Sequence, residues 1–333
     1  MKLLLSFALV GVLAVNAIPL YGEDLESRTY PRYIQMPDGE GNLHVVDLEA
    51  PVDEVALEEV LRNPERNQYF LYTRRNPTNA QTLIINDQAS IRQSNFNFNN
   101  PVVVIAHGWL SKSETSLNPA IRDAYFGRSD TNVIIIDWRR LAMMDYVTAM
   151  RGVPAVGRGL GQFINFLHSM GLPYNNVHLV GFSLGSHLVG NAGRETGGRV
   201  ARVTGLDPAG PLWSSSGERL NPNDGVYVEA IHTDGGYTVG GLGIGTAIAR
   251  ADFFPNGGIS QPGCLTNVCN HNRAWELFAA TVSYNHLIGN RCDSSLQISL
   301  NNCRGAQLHM GNDHLNKRGD GMYRVNTERR YPF

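Results

Sequence analysis

After residue 17 no stretch of the chain stays apolar for the roughly 20 residues that a membrane-spanning helix needs, so no transmembrane segment is expected. Cationic blocks are also missing. The chain's 28 Lys and Arg stand against 30 Asp and Glu, for a net charge of −2, and the densest basic stretch, Arg324 to Arg330, reads as a solvated tail. That excludes nucleic acid as a partner. There are only four cysteines, Cys264, Cys269, Cys292 and Cys303, and none stands in the paired CxxC spacing of a structural zinc site. No metal ligand set is expected, and nothing in the sequence calls for a cofactor. No Asn-x-Ser/Thr triplet occurs with x other than Pro, so N-glycosylation is not expected, and no internal repeat is present.

What is present begins with a leader. Lys2, the apolar run Leu3 to Val15 and the small residues Val15 and Ala17 read as a signal peptide over residues 1–17, cut after Ala17. A soluble, secreted, extracellular product follows. An even number of cysteines in such a chain implies disulfides, and pairing of neighbours, Cys264 with Cys269 and Cys292 with Cys303, is the simplest of three connectivities. Residues 18–65 are polar and rather acidic, with one periodic run at Val52 to Leu61; they read as an extended arm, a propeptide, or an edge packed on the body. The chain is long and apolar enough to bury a large core as one domain or a modestly subdivided one, with residues 66–333 as its body.

Within that span the sequence has a regular rhythm. Gln68 to Tyr72 and Gln81 to Ile85 look like short strands around a turn at Asn76-Pro77. A fully apolar strand follows at Val102 to Ala106, a second buried strand at Val133 to Asp137, and further strands at Val177 to Gly181, Val200 to Leu206 and Val226 to His232. Helices are predicted between and after them at Pro119 to Phe126, Pro154 to Met170 (interrupted by glycines), Ser186 to Glu195 and Asn270 to Ile288. Continuous apolar strands alternating with helices predict an α/β fold, with a mostly parallel central sheet and helices on both faces. The glycine-rich stretch from Gly235 to Gly245 suits a mobile surface loop.

The chemistry is concentrated at VHLVGFSLGSHLVG, residues 177–190, where strand, tight turn and helix follow one another. Gly181-Phe182-Ser183-Leu184-Gly185 is the pattern of a nucleophile elbow, in which Ser183 projects its Oγ above the sheet; the plain alternative is an ordinary glycine-rich turn. An acyl-transfer serine needs a base and an acid behind the base, and after an elbow the acid precedes the histidine in the chain. Asp207, in GLDPAG at the end of a strand, is the candidate acid. Asp137, in IIIDWRR, competes but precedes the serine and reads as structural. Of the ten histidines, His271 is the candidate base, with His232 and His286 as lesser ones. His178 reads as packed core, His187 as pointing away from the nucleophile, and His107 as a residue that orients the backbone. The amides of Trp109 and Leu184 are the candidate oxyanion donors.

These segments resemble the pancreatic lipase family of the alpha/beta-hydrolase superfamily, particularly its insect secreted members, which include phospholipases of the A1 type. The resemblance rests on FLYTRRNP at 70–77, VVVIAHGW at 102–109, NVIIIDW at 132–138 and HLVGFSLGSHLVGNAG at 178–193. It continues through RVTGLDPAGP at 202–211, VEAIHTDGG at 228–236, ADFFPNGGISQPGC at 251–264 and CNHNRAWELF at 269–278, in family order. It implies Ser183 as nucleophile, Asp207 as acid, His271 as base, and Trp109 and Leu184 as oxyanion donors. It also implies that Cys264–Cys269 bounds the lid, which here holds only Leu265, Thr266, Asn267 and Val268.

In the family, long lids accompany triglyceride hydrolysis and short ones phospholipase activity. A lid this short cannot present a broad apolar face at an oil surface. The second surface loop, between His232 and Asp252, is not clearly shortened and keeps apolar residues. The resemblance therefore implies an sn-1 phospholipase acting at a membrane or emulsion surface. The alternatives are a neutral triacylglycerol or diacylglycerol lipase, and an inactive yolk-like lipid-binding or storage protein. The family's carboxy-terminal β-sandwich has no counterpart here, so no colipase dependence is expected. Vertebrate relatives hold calcium near the segment matching ERLNPNDG at 218–225; Asn221 and Ser216 stand where acidic groups are usual, so calcium is not expected.

Overall fold

The computed structural model describes residues 30–63, 66–236 and 240–333, and the expected signal peptide lies outside them. Thirteen strands and eight α-helices alternate along the described chain. In order they are β1 (Tyr33–Pro37), β2 (Leu43–Asp47), α1 (Glu54–Arg62), β3 (Gln68–Tyr72), β4 (Gln81–Leu83), α2 (Gln88–Arg92), β5 (Val102–Ala106) and α3 (Leu117–Arg128). Next come β6 (Asn132–Asp137), α4 (Arg139–Ala142), α5 (Tyr146–Ser169), β7 (Val177–Phe182), α6 (Leu184–Glu195), β8 (Arg202–Leu206), β9 (Tyr227–Ile231) and β10 (Ala251–Pro255). The last are α7 (Asn267–Tyr284), β11 (Ile288–Cys292), α8 (Ser295–Ser299), β12 (Gln307–His309) and β13 (Gly321–Val325).

Eleven strands make one sheet in the order β12-β11-β13-β10-β9-β8-β7-β5-β6-β3-β4, while β1 and β2 form a separate hairpin. Neighbours from β6 through β5, β7, β8, β9 and β10 to β13 pair in parallel, and the outer pairs are antiparallel. This is the alpha/beta-hydrolase fold, a large mixed, mostly parallel sheet flanked by helices. Strand β5 shows why these runs lack a polar face. Val102, Val104 and Ala106 enter one core, beneath α5 and α6, whereas Val103 and Ile105 enter the other, beneath α3 and α7. The chain leaves β5 for β6 and returns to β7 on the other side. The connections thus diverge between β5 and β7, and a crevice opens at the carboxyl ends of those strands.

Some expectations change. The helix predicted from Pro154 begins at Tyr146, capped by Asp145, whose carboxylate accepts from the Thr148 amide at 2.9 Å. Its glycines do not interrupt it: Gly157 and Gly161 lie where α5 crosses α6, and a Cβ on Gly157 would sit 2.5 Å from the Leu188 carbonyl. The described part of residues 18–65 forms the hairpin and α1, with Met36, Val46 and Leu57 buried in the core. The cysteines pair as neighbours, Cys264 with Cys269 and Cys292 with Cys303. Among the described residues no helix is long and apolar enough to cross a membrane.

Candidate active site

Ser183 stands between β7 and α6 with φ +55° and ψ −122°, a conformation that a non-glycine residue adopts only where its surroundings hold it. The closeness of the strand and helix backbones explains the flanking glycines. A Cβ at Gly181 would fall 2.0 Å from the Gly185 carbonyl, and one at Gly185 would fall 2.4 Å from that of Ala106. The Ser183 amide donates to the Leu206 carbonyl at 3.0 Å, which ties the turn to the neighbouring strand.

Asp207 follows β8, also at positive φ (+40°), and is fully buried. Its Oδ1 accepts from the amides of Thr233 at 2.8 Å and Asp234 at 3.0 Å, and its Oδ2 accepts from His271 Nδ1 at 2.5 Å. With Nδ1–H so engaged, Nε2 is left without a proton, the tautomer a base requires. His271 sits near the start of α7, which is capped by Thr266 Oγ1 accepting from the Cys269 amide at 3.2 Å. Its ring packs on Phe182, 4.5 Å between centroids. Ser183 and His271 line one cleft of about 390 Å³, with Gly108, Trp109, Glu114 and Trp275 among its other walls.

Trp109 and Leu184 flank the nucleophile from β5 and α6. Among the described residues neither amide has a backbone acceptor, and Trp109 lines the cleft. Trp109 is anchored through Nε1, which donates to the Met144 carbonyl at 2.8 Å.

The lesser candidates are engaged elsewhere. His232 pairs with Asp252 at 2.9 Å and with the Ile244 carbonyl at 2.6 Å; His286 reaches the Pro332 carbonyl. His178 is buried between Tyr125 and Thr204, and His187 stacks on Trp213. His107 stacks on Trp138, whose Nε1 donates to the His107 carbonyl, so it does brace backbone. Asp137 accepts from the Ser113 amide and Arg139. Burial alone would raise it, but His107 and Arg139 hold it well below the usual carboxylate range.

Of the lid residues, Leu265 is 98% exposed, Thr266 is the helix cap, and Asn267 and Val268 already belong to the first turn of α7. Asn267 Nδ2 donates to the Gly240 carbonyl at 2.7 Å.

The glycine-rich loop corrects an expectation. Residues 237–239 lie outside the described residues, but Gly235, Gly236 and Gly241 to Ile244 are buried rather than part of a mobile surface loop. Gly243 lies directly against the Asp207 carboxylate, where a Cβ would come within 2.4 Å of Oδ1. Sequence reasoning also assigns no role to Thr233 and Asp234, because amide donors carry no side-chain signature. Burial and the neighbouring Asp207 carboxylate push the Asp234 carboxyl up to about 9, which favours its neutral form beside Asp207. Asn270 Oδ1 accepts from the Gln261 amide, and Gln261 Nε2 donates to the Thr233 carbonyl; this chain of contacts joins the start of α7 to the loop that holds Asp207.

The 218–225 segment does not fit a calcium ion. Arg194 holds both of its nearby carboxylates, Asp224 at 3.1 Å and Glu218 at 3.2 Å, and burial pushes Asp224 up to about 6. A cation would have to displace a guanidinium from a carboxylate already reluctant to ionise.

A sequence model described as Lipase matches residues 44–319. Mouse pancreatic triacylglycerol lipase is 37% identical over 261 residues, which cover 71% of this chain and 56% of that protein. Human pancreatic triacylglycerol lipase is 34% identical over 261 residues, covering 68% and 56%. Human pancreatic lipase-related protein 2 is 38% identical over 229 residues, covering 66% and 49%. The chain therefore spans about half the length of these relatives. With the elbow, the buried carboxylate–imidazole pair and the shared cleft, this match places the chain in the lipase family.

Proposed function

We propose that the protein is a secreted phospholipase of the A1 type, with Ser183 as nucleophile, His271 as base and Asp207 as the acid that steadies it. Nε2 of His271 takes the Ser183 proton as Oγ attacks the sn-1 carbonyl, and the amides of Trp109 and Leu184 hold the oxyanion. The imidazolium then protonates the departing sn-2-acyl lysophospholipid, and water hydrolyses the acyl-enzyme.

The observation that carries the substrate class is the absence of apolar cover among the described residues over the cleft. The lid has one outward apolar side chain, Leu265, and the large apolar side chains described in the second loop lie inside the core, with Leu242 3%, Ile244 1% and Ile248 5% exposed. Polar groups instead line the cleft, including Asp38, Glu40, Ser111 and Glu114, which suits a headgroup better than a third acyl chain. The rival reading, a neutral acylglycerol lipase, draws on the relatives named as triacylglycerol lipases. Purified protein is expected to release fatty acid from mixed-chain phosphatidylcholine faster than from emulsified triolein. Ser183→Ala should lower the rate by roughly 10⁴- to 10⁶-fold. Equal release by the variant, or a preference for triolein, refutes the corresponding half of the reading.

A further inference from the structure

The β1–β2 hairpin breaks the usual pattern of a half-buried sheet, in which one face is apolar and the other polar. Its inner face is apolar as expected, with Met36 and Val46 in the core. Its outer face is largely apolar as well, with Tyr33 59%, Leu43 53% and Val45 73% exposed; Gln35 stands opposite Val45, and Asp47, opposite Tyr33, is paired with Arg32 at the edge. The hairpin pairs with no other strand among the described residues, so sheet pairing does not account for that face.

Its position gives the reason. Residues Met36 to Glu40 form one wall of the catalytic cleft, and the Gly39 amide donates to the Leu110 carbonyl at 3.0 Å, just past Trp109. At the turn, Asp38 accepts from the amides of Glu40 and Asn42, both at 2.9 Å, which stiffens the tip. The opposite flank meets the lid across an apolar groove of about 560 Å³, lined by Tyr33, Ile34, Leu43, Leu242 and Val268. Apolar side chains on both sides of this groove, with Gln35, Thr266 and Asn267 between them, thus link the hairpin to the lid beside the cleft. The charged groups on the cleft wall, Asp38, Glu40 and Glu114, are carboxylates, so attraction to anionic headgroups does not explain the site.

We infer that the outer face of the hairpin, Tyr33, Leu43 and Val45, together with Leu265, is a docking surface that inserts into the apolar region of a zwitterionic phospholipid surface. It supplies the apolar area that the short lid lacks and turns the cleft towards the lipid. The inference rests on the cleft opening onto lipid, but not on which lipid is hydrolysed.

Co-sedimentation with sucrose-loaded phosphatidylcholine vesicles tests it, using Ser183→Ala protein so that no lipid is consumed. Binding should persist at high salt, and adding Leu43→Ser and Val45→Ser should weaken it by at least about tenfold. Val226→Ser, an exposed apolar site (60%) at the amino-terminal end of β9, far from the cleft, should leave it unchanged. In the Ser183-containing protein, unaltered fluorophosphonate labelling of the double variant shows that the fold is intact. Should that variant misfold, Val45→Trp gives a second reading, a blue-shifted emission on adding vesicles. Undiminished binding by the double variant, equal loss in Val226→Ser, release by salt, or a silent Val45→Trp overturns the inference. So does a dimer that the double variant converts to monomer, which would make this face a contact between two copies of the chain. Failure to hydrolyse phosphatidylcholine would instead count against the substrate assignment and leave the binding result standing.

Discussion

Strands β8 and β9 carry a buried polar cluster at each end, and the two are finished differently. At the amino-terminal end Arg202 and Lys317 close on Glu229, Lys317 at 2.6 Å, and Arg202 also donates to the carbonyls of Asn312 and His314. Burial would raise Glu229, but the two cations hold it below the usual range. At the carboxyl-terminal end Asp207 accepts from one imidazole and two amides, and the neighbouring Asp234 carboxyl, pushed up by burial, has no cation beside it among the described residues. One end uses charge to tie residues 311–317 to the sheet. The other holds charge in place for chemistry. Substitutions should therefore separate: stability is lost at the first end, rate at the second.

The largest separation is expected from Asp207→Asn. It keeps the shape but removes the charge that steadies the imidazolium, and should cut the hydrolysis rate by about 10³- to 10⁴-fold with little change in unfolding temperature. A comparable fall in stability would mean that the two ends are not so specialised. Glu229→Gln is the mirror image. Leaving Arg202 and Lys317 unopposed inside the protein should cost about 3–5 kcal/mol in denaturant unfolding, while the fluorophosphonate labelling rate per folded molecule stays that of wild type.

The remaining substitution sharpens the account of the neutral carboxyl. Asp234 is raised from 3.8 to about 9, so the folded state binds the proton more tightly than the unfolded chain does. Its contribution is whole below pH 3.8 and is lost as the pH rises through about 9. Asp234→Asn should flatten the fall in stability across that window and leave hydrolysis near pH 7 little changed. An unaltered pH profile would show that Asp234 is not the group that titrates.

What could be read from the sequence follows where the physical signal resides. The central strands β5, β6 and β7 are legible because burial on both faces leaves mainly apolar residues, with His178 the one polar side chain between their end residues. Strands β11 (IGNRC) and β12 (QLH) are not, because their mixed sequences owe the extended form to the strands they pair with. The hairpin escapes notice because an apolar outer face erases the alternation that marks a half-buried strand. At the site, Ser183 has a local signature and Asp207 a position in chain order. His271 has neither: it lies 64 residues beyond Asp207, and only the fold and the family resemblance point to it. The glycine-rich loop is misread for a related reason, since glycines that permit close packing and glycines that permit motion look alike in a sequence.

Ser183 and Asp207 both sit in the left-handed backbone region, where a residue with a Cβ is strained by about 1–2 kcal/mol relative to glycine. On the proposed function, the chain keeps its nucleophile at the expense of some of its own resistance to unfolding. A single exchange of Ser183 for glycine should relax the turn while silencing the proposed chemistry.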